Sequence, residues 1–114
     1  MPHPPWAAQR MSIVMGYCEG GDLMHRIRRF RKQREYIHED QIMEWFVQIC
    51  MALAYLHDRH VLHRDIKPHN VFLTNNARVV KVGDFGVTRI LNHTGSMAKT
   101  TIGTPYYASP EICK

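Results

Sequence analysis

The stretch EDQIMEWFVQICMALAYLHD, residues 39–58, constrains the fold more than any other part of the 114-residue chain. Its apolar side chains recur at steps of three and four residues and form one stripe, made of Ile42, Trp45, Phe46, Ile49, Leu53 and Leu56. Acidic residues at the first two positions favour the positive end of a helix dipole. The pattern predicts a long amphipathic helix that packs Trp45, Phe46 and Met51 into a core.

The segments around this helix predict a mixed architecture. After it, the β-branched runs NVFLT and RVVKVGDF are separated by NNA, which is typical of a hairpin turn. Before it, the apolar run from Ser12 to Tyr17 is a candidate buried strand. Asp22 stands where a helix N-cap belongs, and a short helix is expected from Leu23 to about Phe30. Helices and strands together predict an α+β fold.

Composition limits the class of protein and its expected location. A hydrophobic fraction of 45% is that of a globular domain. No apolar run approaches the roughly 20 residues that span a bilayer, and the proline-rich start has no apolar signal core. The three separated cysteines, Cys18, Cys50 and Cys113, suit reduced thiols. We therefore expect a protein inside the cell with no membrane partner.

Charge and histidine patterns leave two weaker interpretations. The net charge is +5, and much of it lies in RIRRFRKQR, from Arg26 to Arg34. A solvated helix end is favoured over a nucleic-acid surface, because no aromatic-rich binding motif accompanies the arginines. His57, His60 and His63 recur every third residue, but the helix gives way to a loop there. A metal site is disfavoured, since such sites bring further ligands at set spacing.

The octapeptide HRDIKPHN carries the clearest chemistry. Asp65 can accept a hydrogen bond from a substrate hydroxyl, Lys67 can neutralise a phosphoryl oxygen, and Asn70 offers an oxygen of the kind that magnesium prefers. A second carboxylate, Asp84, opens the triplet DFG after the predicted hairpin. A base, a cation and two metal ligands fit phosphoryl transfer, where catalysis is mostly positioning and electrostatics.

These motifs, followed by GTPYYASPE from Gly103 to Glu111, resemble those of the protein kinases. The stretches IVMGYCEGGDL, EDQIMEWFVQI, LHRDIK and IGTPYYASPEIC resemble the NIMA-related serine/threonine kinases in particular. The resemblance implies a partial protein-kinase-like α+β fold with a hinge strand, the helices of the upper large lobe, a catalytic-loop hairpin and an activation segment. An incomplete catalytic domain would occupy residues 12–114, and residues 1–11 would be an irregular leader outside it.

The resemblance also implies roles for single residues. Asp65 would be the catalytic base, Lys67 would neutralise the phosphate, and Thr104 would help to position both. Asn70 and Asp84 would bind Mg²⁺. The ATP-binding residues would be Met15 as gatekeeper, Gly16, Tyr17 and Cys18 as the hinge, Asp22 near the ribose, and Phe72 as the floor of the adenine pocket. Thr100, ahead of its neighbour Thr101, matches the activating phosphorylation site, and a phosphate there would pair with Arg64.

The resemblance implies transfer of the γ-phosphoryl group of ATP to serine and threonine hydroxyls of protein substrates. It further implies a cytoplasmic location, with the nucleus, centrosome and cilium as alternatives. Gly16 departs from the family, which usually has an acidic residue after the gatekeeper. The glycine-rich loop, strand lysine and helix glutamate of a kinase should precede the hinge, and residues 1–11 match none of them. We therefore expect little activity from this chain alone. The alternative is a non-catalytic truncated isoform that acts as an interaction or regulatory module.

Overall fold

The computed structural model describes residues 12–83, 89–90 and 105–113. Two helices, α1 (Leu23–Gln33) and α2 (Glu39–Asp58), precede four short strands. The strands are β1 (Val61–Leu62), β2 (Val71–Thr74), β3 (Val79–Val82) and β4 (Arg89–Ile90), and single 3₁₀ turns cover Pro68–Asn70 and Pro105–Tyr107. The α+β class is confirmed. Neither of the described helices is both long and apolar enough to cross a bilayer.

Helix α1 begins at a favourable N-cap and ends at a residue with a left-handed backbone. The backbone N–H of His25 donates to Oδ1 of Asp22 at 2.7 Å, so the predicted N-cap is confirmed. The helix ends at Arg34, which has a left-handed φ of 57° and donates its N–H to the carbonyl of Arg31 at 3.1 Å. It therefore runs three residues past Phe30, the predicted end, because no breaker stands between Phe30 and Arg34.

Helix α2 has the predicted bounds, but its stripe is only partly covered. Trp45 is 3% exposed and lies in the core with Leu73 and Ala77. Phe46 is 57% exposed and Met51 is 67% exposed, so the prediction that these two pack into a core is wrong for this chain. Among the described residues, the β2–β3 hairpin packs against one side of α2. The core between them is too small to cover the other side of the helix.

The predicted hairpin is confirmed. Strands β2 and β3 pair antiparallel, with Val71 opposite Val82 and Thr74 opposite Val79. Three consecutive residues of the connecting turn have left-handed backbones, with φ of 51° at Asn75, 56° at Asn76 and 64° at Ala77. Asparagine tolerates this region better than most residues, which explains why the NNA sequence marks the turn.

Side chains of α2 bond the backbone of this hairpin. Nε1 of Trp45 donates to the carbonyl of Ala77 at 2.7 Å. The side-chain amide of Gln48 makes two further bonds to the hairpin backbone. Its Nε2 donates to the carbonyl of Arg78, and its Oε1 accepts from the N–H of Val80, both at 2.8 Å. Each buried backbone group needs a partner, so these bonds fix the hairpin against the helix.

The predicted buried strand from Ser12 to Tyr17 is not observed. The segment has no regular structure, and Val14 is 98% exposed, Tyr17 87% and Met15 74%. A strand is stable only when its backbone groups bond a neighbouring strand. Within the described ranges the sheets are the pairs β1–β4 and β2–β3, and neither includes this segment.

The two glycines that follow this segment do pair with the hairpin. Gly20 donates its N–H to the carbonyl of Leu73 at 2.9 Å, and Leu73 donates to the carbonyl of Gly21 at 2.8 Å. The backbones of Asp22 and Phe72 form a bridge directly beyond. This pairing joins the start of α1 to strand β2, which leads out of the loop that contains HRDIKPHN.

Candidate active site

The loop between β1 and β2 brings three of the predicted site residues together. Asn70 is 4% exposed, and its Nδ2 donates to the backbone carbonyl of Asp65 at 2.8 Å and to Oδ2 of the same residue at 3.1 Å. Nζ of Lys67 lies 3.5 Å from Oδ2 of Asp65. The 3₁₀ turn over Pro68–Asn70 produces this arrangement, because it folds the chain back so that Asn70 faces the residue five positions earlier.

The pair formed by Asp65 and Lys67 is partly shielded from solvent. The two side chains retain 15% and 20% of their exposure, respectively. At this depth the attraction between the charges exceeds that of a surface pair, while both groups stay accessible to a ligand. The contacts to Oδ2 also restrict the movement of the carboxylate, and such positioning is a requirement for a group that must aim at one proton.

His63 stabilises the same loop through two hydrogen bonds of its buried ring. Its ring is 2% exposed, and its Nδ1 accepts the N–H of Asp65 at 3.2 Å. Since Nδ1 accepts, Nε2 carries the proton and donates to the carbonyl of Gly83 at 2.6 Å. Gly83 in turn donates its N–H to the carbonyl of Asn70 at 2.9 Å. The spacing of the histidines pointed to His63 only as a candidate metal ligand. Its place two residues before Asp65 is the sequence signal that could have indicated this role.

Arg64 has an unusual backbone between these two residues. Its φ is 70°, in the left-handed region that L-residues other than asparagine and glycine seldom adopt. The bond from Asp65 to His63 spans the bend and holds it. Nε of Arg64 is buried and, within the part of the chain that the structure describes, makes no hydrogen bond.

The residues predicted to bind adenine and ribose lie in different surroundings. Met15, Gly16 and Tyr17 are exposed, and Cys18 is half-buried with its carbonyl accepting from Gly21 at 3.1 Å. Asp22 uses its carboxylate to cap α1. Phe72 is half-buried, and its ring lies so close to Gly83 that a Cβ there would stand 2.7 Å from Cε2. The structure therefore joins Phe72 to the end of β3, next to the catalytic-loop residues.

Glu19 has a structural role that its sequence neighbours do not indicate. Its Oε2 accepts from the hydroxyl of Thr74 at 2.5 Å, and its Oε1 accepts from the N–H of Asn75 at 2.6 Å. The bond from Thr74, a backbone bond of Glu19 itself and the bond from Asn75 hold the pKa of this carboxyl below its usual value. Glu19 thus ties the segment after the predicted hinge to the turn of the β2–β3 hairpin. No local sequence signal links residues 55 positions apart.

Four predicted site residues lie outside the described residues: Asp84, Thr100, Thr101 and Thr104. Their roles stay predictions. One class of protein combines these features: a long helix like α2, a loop in which a carboxylate, an ammonium and an amide converge, and a hairpin after that loop. The chain matches the protein kinase domain over residues 6–114, and it belongs to the protein kinase family.

Within that family the chain is a member of the NIMA-related branch of serine/threonine kinases. It is 57% identical over 105 residues to human serine/threonine-protein kinase Nek5, a match that covers 92% of this chain and 14% of that protein. It is 58% identical over 102 residues to mouse Nek1, covering 90% of this chain and 8% of the relative. Mouse Nek4 is 56% identical over 100 residues, covering 88% and 12%. The chain thus spans a small part of the length of these relatives.

Proposed function

We propose that this chain carries the catalytic loop of a serine/threonine protein kinase that transfers the γ-phosphoryl group of ATP to protein hydroxyls. One observation carries the proposal: Asp65, Lys67 and Asn70 converge in one partly buried loop through contacts of 2.8 to 3.5 Å. In the reaction a bond forms between the hydroxyl oxygen and the γ-phosphorus, and the bond from that phosphorus to the bridging oxygen of ADP breaks.

Asp65 would accept the proton that the substrate hydroxyl loses. Its carboxylate is fixed by the amide of Asn70 and by the ammonium of Lys67, so one orientation is held before the substrate arrives. Phosphoryl transfer has a loose transition state, in which the hydroxyl needs more alignment than activation. A carboxylate of modest basicity in a fixed position therefore suits the role of base.

Lys67 would stabilise charge on the transferred group. Its Nζ has Asp65 as a partner in the described loop, and 20% of the side chain is exposed toward a ligand. A lysine ammonium acts as a point charge, so it can face both the carboxylate and a phosphoryl oxygen without changing its geometry. Partial burial strengthens that interaction relative to water.

Asn70 suits a magnesium ligand by its chemistry. The amide nitrogen makes both bonds to Asp65, so Oδ1 is the atom left to ligate a metal, and hard divalent ions take oxygen ligands. When bound, Mg²⁺ would neutralise the phosphates of ATP. Asp84, next to Gly83, is proposed as the second ligand. Gly83, its neighbour in the sequence, bonds both Asn70 and His63 and so lies beside the loop.

The remaining roles are proposed on the same family basis. Met15 and the hinge residues Gly16, Tyr17 and Cys18 would meet adenine, with Phe72 below it and Asp22 near the ribose. Arg64 would pair with a phosphate on Thr100, with Thr101 as the alternative. A buried guanidinium nitrogen that makes no bond to the described residues supports this pairing, since such a group gains from an anion.

We further propose that the chain has little activity as a separate molecule. The exposure of Met15 and Tyr17 supports this, because an adenine site needs an enclosed apolar surface around those residues. Purified chain is therefore expected not to phosphorylate casein with magnesium-ATP. Turnover that Asp65→Asn abolishes would contradict the proposed inactivity.

A chimera tests the proposed catalytic roles even if the chain alone is inactive. The segment of mouse Nek1 that matches this chain would be replaced by residues of this chain, and phosphate transfer to a serine peptide would be measured. We expect transfer, and we expect Asp65→Asn to lower kcat by about 10²-fold or more, the usual contribution of a positioned base.

The matched control in the chimera is Asp58→Asn, an exposed carboxylate at the end of α2. It should leave kcat and KM unchanged. Equal losses from Asp58→Asn and Asp65→Asn, or full activity with Asp65→Asn, would refute the role of Asp65. A chimera that phosphorylates a tyrosine peptide in preference to a serine peptide would refute the proposed substrate class.

A further inference from the structure

A concave surface lies on helix α1 and shares no residue with the catalytic loop. It is an open cleft of about 550 Å³ between the first turns of α1 and the turn of the β2–β3 hairpin. Its polar lining includes Glu19, His25, Arg26, Arg29 and Asn76. The volume is within the range of protein sites that bind small ligands, about 300–1,000 Å³.

The charge of this cleft favours an anion. Arg26 and Arg29 stand three positions apart on α1, so both reach the same side of the helix. Neither forms an ion pair with a carboxylate of the described ranges. The acidic residue of the lining, Glu19, directs both its oxygens to Thr74 and Asn75. Two arginines therefore line the cleft, while the carboxylate of Glu19 is already bonded.

The guanidinium of Arg26 is held in place but has no acceptor among the described residues. Its Nε is buried, and among the residues described here it bonds no acceptor. The guanidinium carbon lies 5.2 Å from the centre of the Phe30 ring, which holds the group in place. No acceptor of the described residues therefore competes with an anion for this guanidinium.

The lining fits a peptide better than a nucleic acid. Nucleic acids gain affinity by neutralising many successive phosphates, whereas only two arginines line this cleft, enough for one or two anionic groups. The amide of Asn76 also lines the surface and suits hydrogen bonds to a peptide.

We propose that the cleft on α1 is a docking site for an acidic segment of a protein partner, with Arg26 and Arg29 binding its carboxylate or phosphoryl groups. This goes beyond the proposed phosphoryl transfer and does not depend on it. It also gives the basic run on α1 a function that its sequence alone did not show.

Fluorescence anisotropy on the purified chain, without ATP, tests the proposal. The probe is a short fluorescein-labelled peptide with a run of glutamates, compared with the same peptide carrying glutamines. We expect the glutamate peptide to bind and the glutamine peptide not to bind. A third peptide with one phosphoserine among the glutamates shows whether phosphoryl groups bind more tightly than carboxylates.

Two charge reversals on the same helix provide the matched comparison. Arg29→Glu should weaken binding of the glutamate peptide by about tenfold or more, as expected for a close charge pair at an interface. Arg28→Glu makes the same change of net charge at an exposed position outside the cleft and should weaken binding by no more than about twofold. Arg26→Lys keeps the charge and leaves α1 intact, so it separates loss of the guanidinium geometry from misfolding.

Circular dichroism confirms that each variant retains its helices before binding is compared. Equal losses from Arg28→Glu and Arg29→Glu would show attraction spread over the basic helix and would overturn the proposal. Failure of the glutamate peptide to bind the unaltered chain would overturn it too. Tighter binding of a single-stranded oligonucleotide than of either acidic peptide would assign the cleft to nucleic acid instead.

Discussion

The amide of Asn70 donates to two oxygens of Asp65, the backbone carbonyl at 2.8 Å and carboxylate Oδ2 at 3.1 Å. One side chain thus fixes both the loop backbone and the carboxylate that the proposed mechanism uses. Asn70 is 4% exposed, so no water competes strongly for these bonds. The consequences can be measured without nucleotide or substrate.

Asn70→Asp is expected to lower the free energy of unfolding by about 1–3 kcal/mol at neutral pH, since the donor to Asp65 is lost and two carboxylates face each other. Facing carboxylates raise the pKa of one partner, so the loss should shrink as the pH falls toward 4. Urea unfolding at both pH values measures this. Asn76→Asp, in the exposed hairpin turn, is the control and should change stability by no more than about 0.5 kcal/mol.

Gly20→Ala is expected to destabilise the fold by about 1–3 kcal/mol. A Cβ at Gly20 would lie 2.6 Å from the carbonyl oxygen of Leu73 and 2.9 Å from its Cβ, so β2 would have to shift. Gly16→Ala is the matched control, because a Cβ there meets nothing within 4 Å. It should be neutral or slightly stabilising. Similar melting temperatures for the two variants would contradict the close approach of Gly20 to β2.

Trp45→Phe is expected to cost about 1–3 kcal/mol of stability, because phenylalanine keeps most of the apolar surface but leaves the buried carbonyl of Ala77 without its donor. Phe46→Leu, at the next position of α2 and 57% exposed, should change stability by no more than about 0.5 kcal/mol. Chemical denaturation of both variants provides the comparison. A larger loss from Phe46→Leu would mean that the exposed side of α2 contributes more than its contacts indicate.

Glu19 should make stability depend on pH in the acid range. Its folded-state pKa is lowered below the ordinary value of 4.5, so its contribution is present above about pH 4.5 and is lost as the pH falls through the lower folded pKa. Glu19→Gln should remove that part of the pH dependence. Thermal melts between neutral pH and pH 3 measure it, with Glu35→Gln, an exposed glutamate after α1, as the control that keeps the dependence.

Local patterns predicted the elements that depend on local rules. The apolar period of α2 gave its bounds, the NNA turn gave the β2–β3 hairpin, and Asp22 gave the start of α1. Such features depend on backbone preferences and on neighbours within a few residues, so the sequence contains the whole of the information. The HRDIKPHN motif likewise predicted the meeting of Asp65, Lys67 and Asn70, because all three share one loop.

Features that depend on contacts between distant segments could not be predicted from the sequence. The apolar run at 12–17 predicted a buried strand, and Phe46 and Met51 were expected in a core, but burial depends on what packs alongside. Glu19 and Gln48 were missed because their partners lie 30 to 56 residues away. The bond from His63 to Gly83 likewise spans 20 residues. The sequence by itself determined the helices, the hairpin and the chemistry of the catalytic loop. Only the tertiary structure decided which apolar faces are covered and which side chains hold the loop in place, since both follow from contacts between segments far apart in the chain.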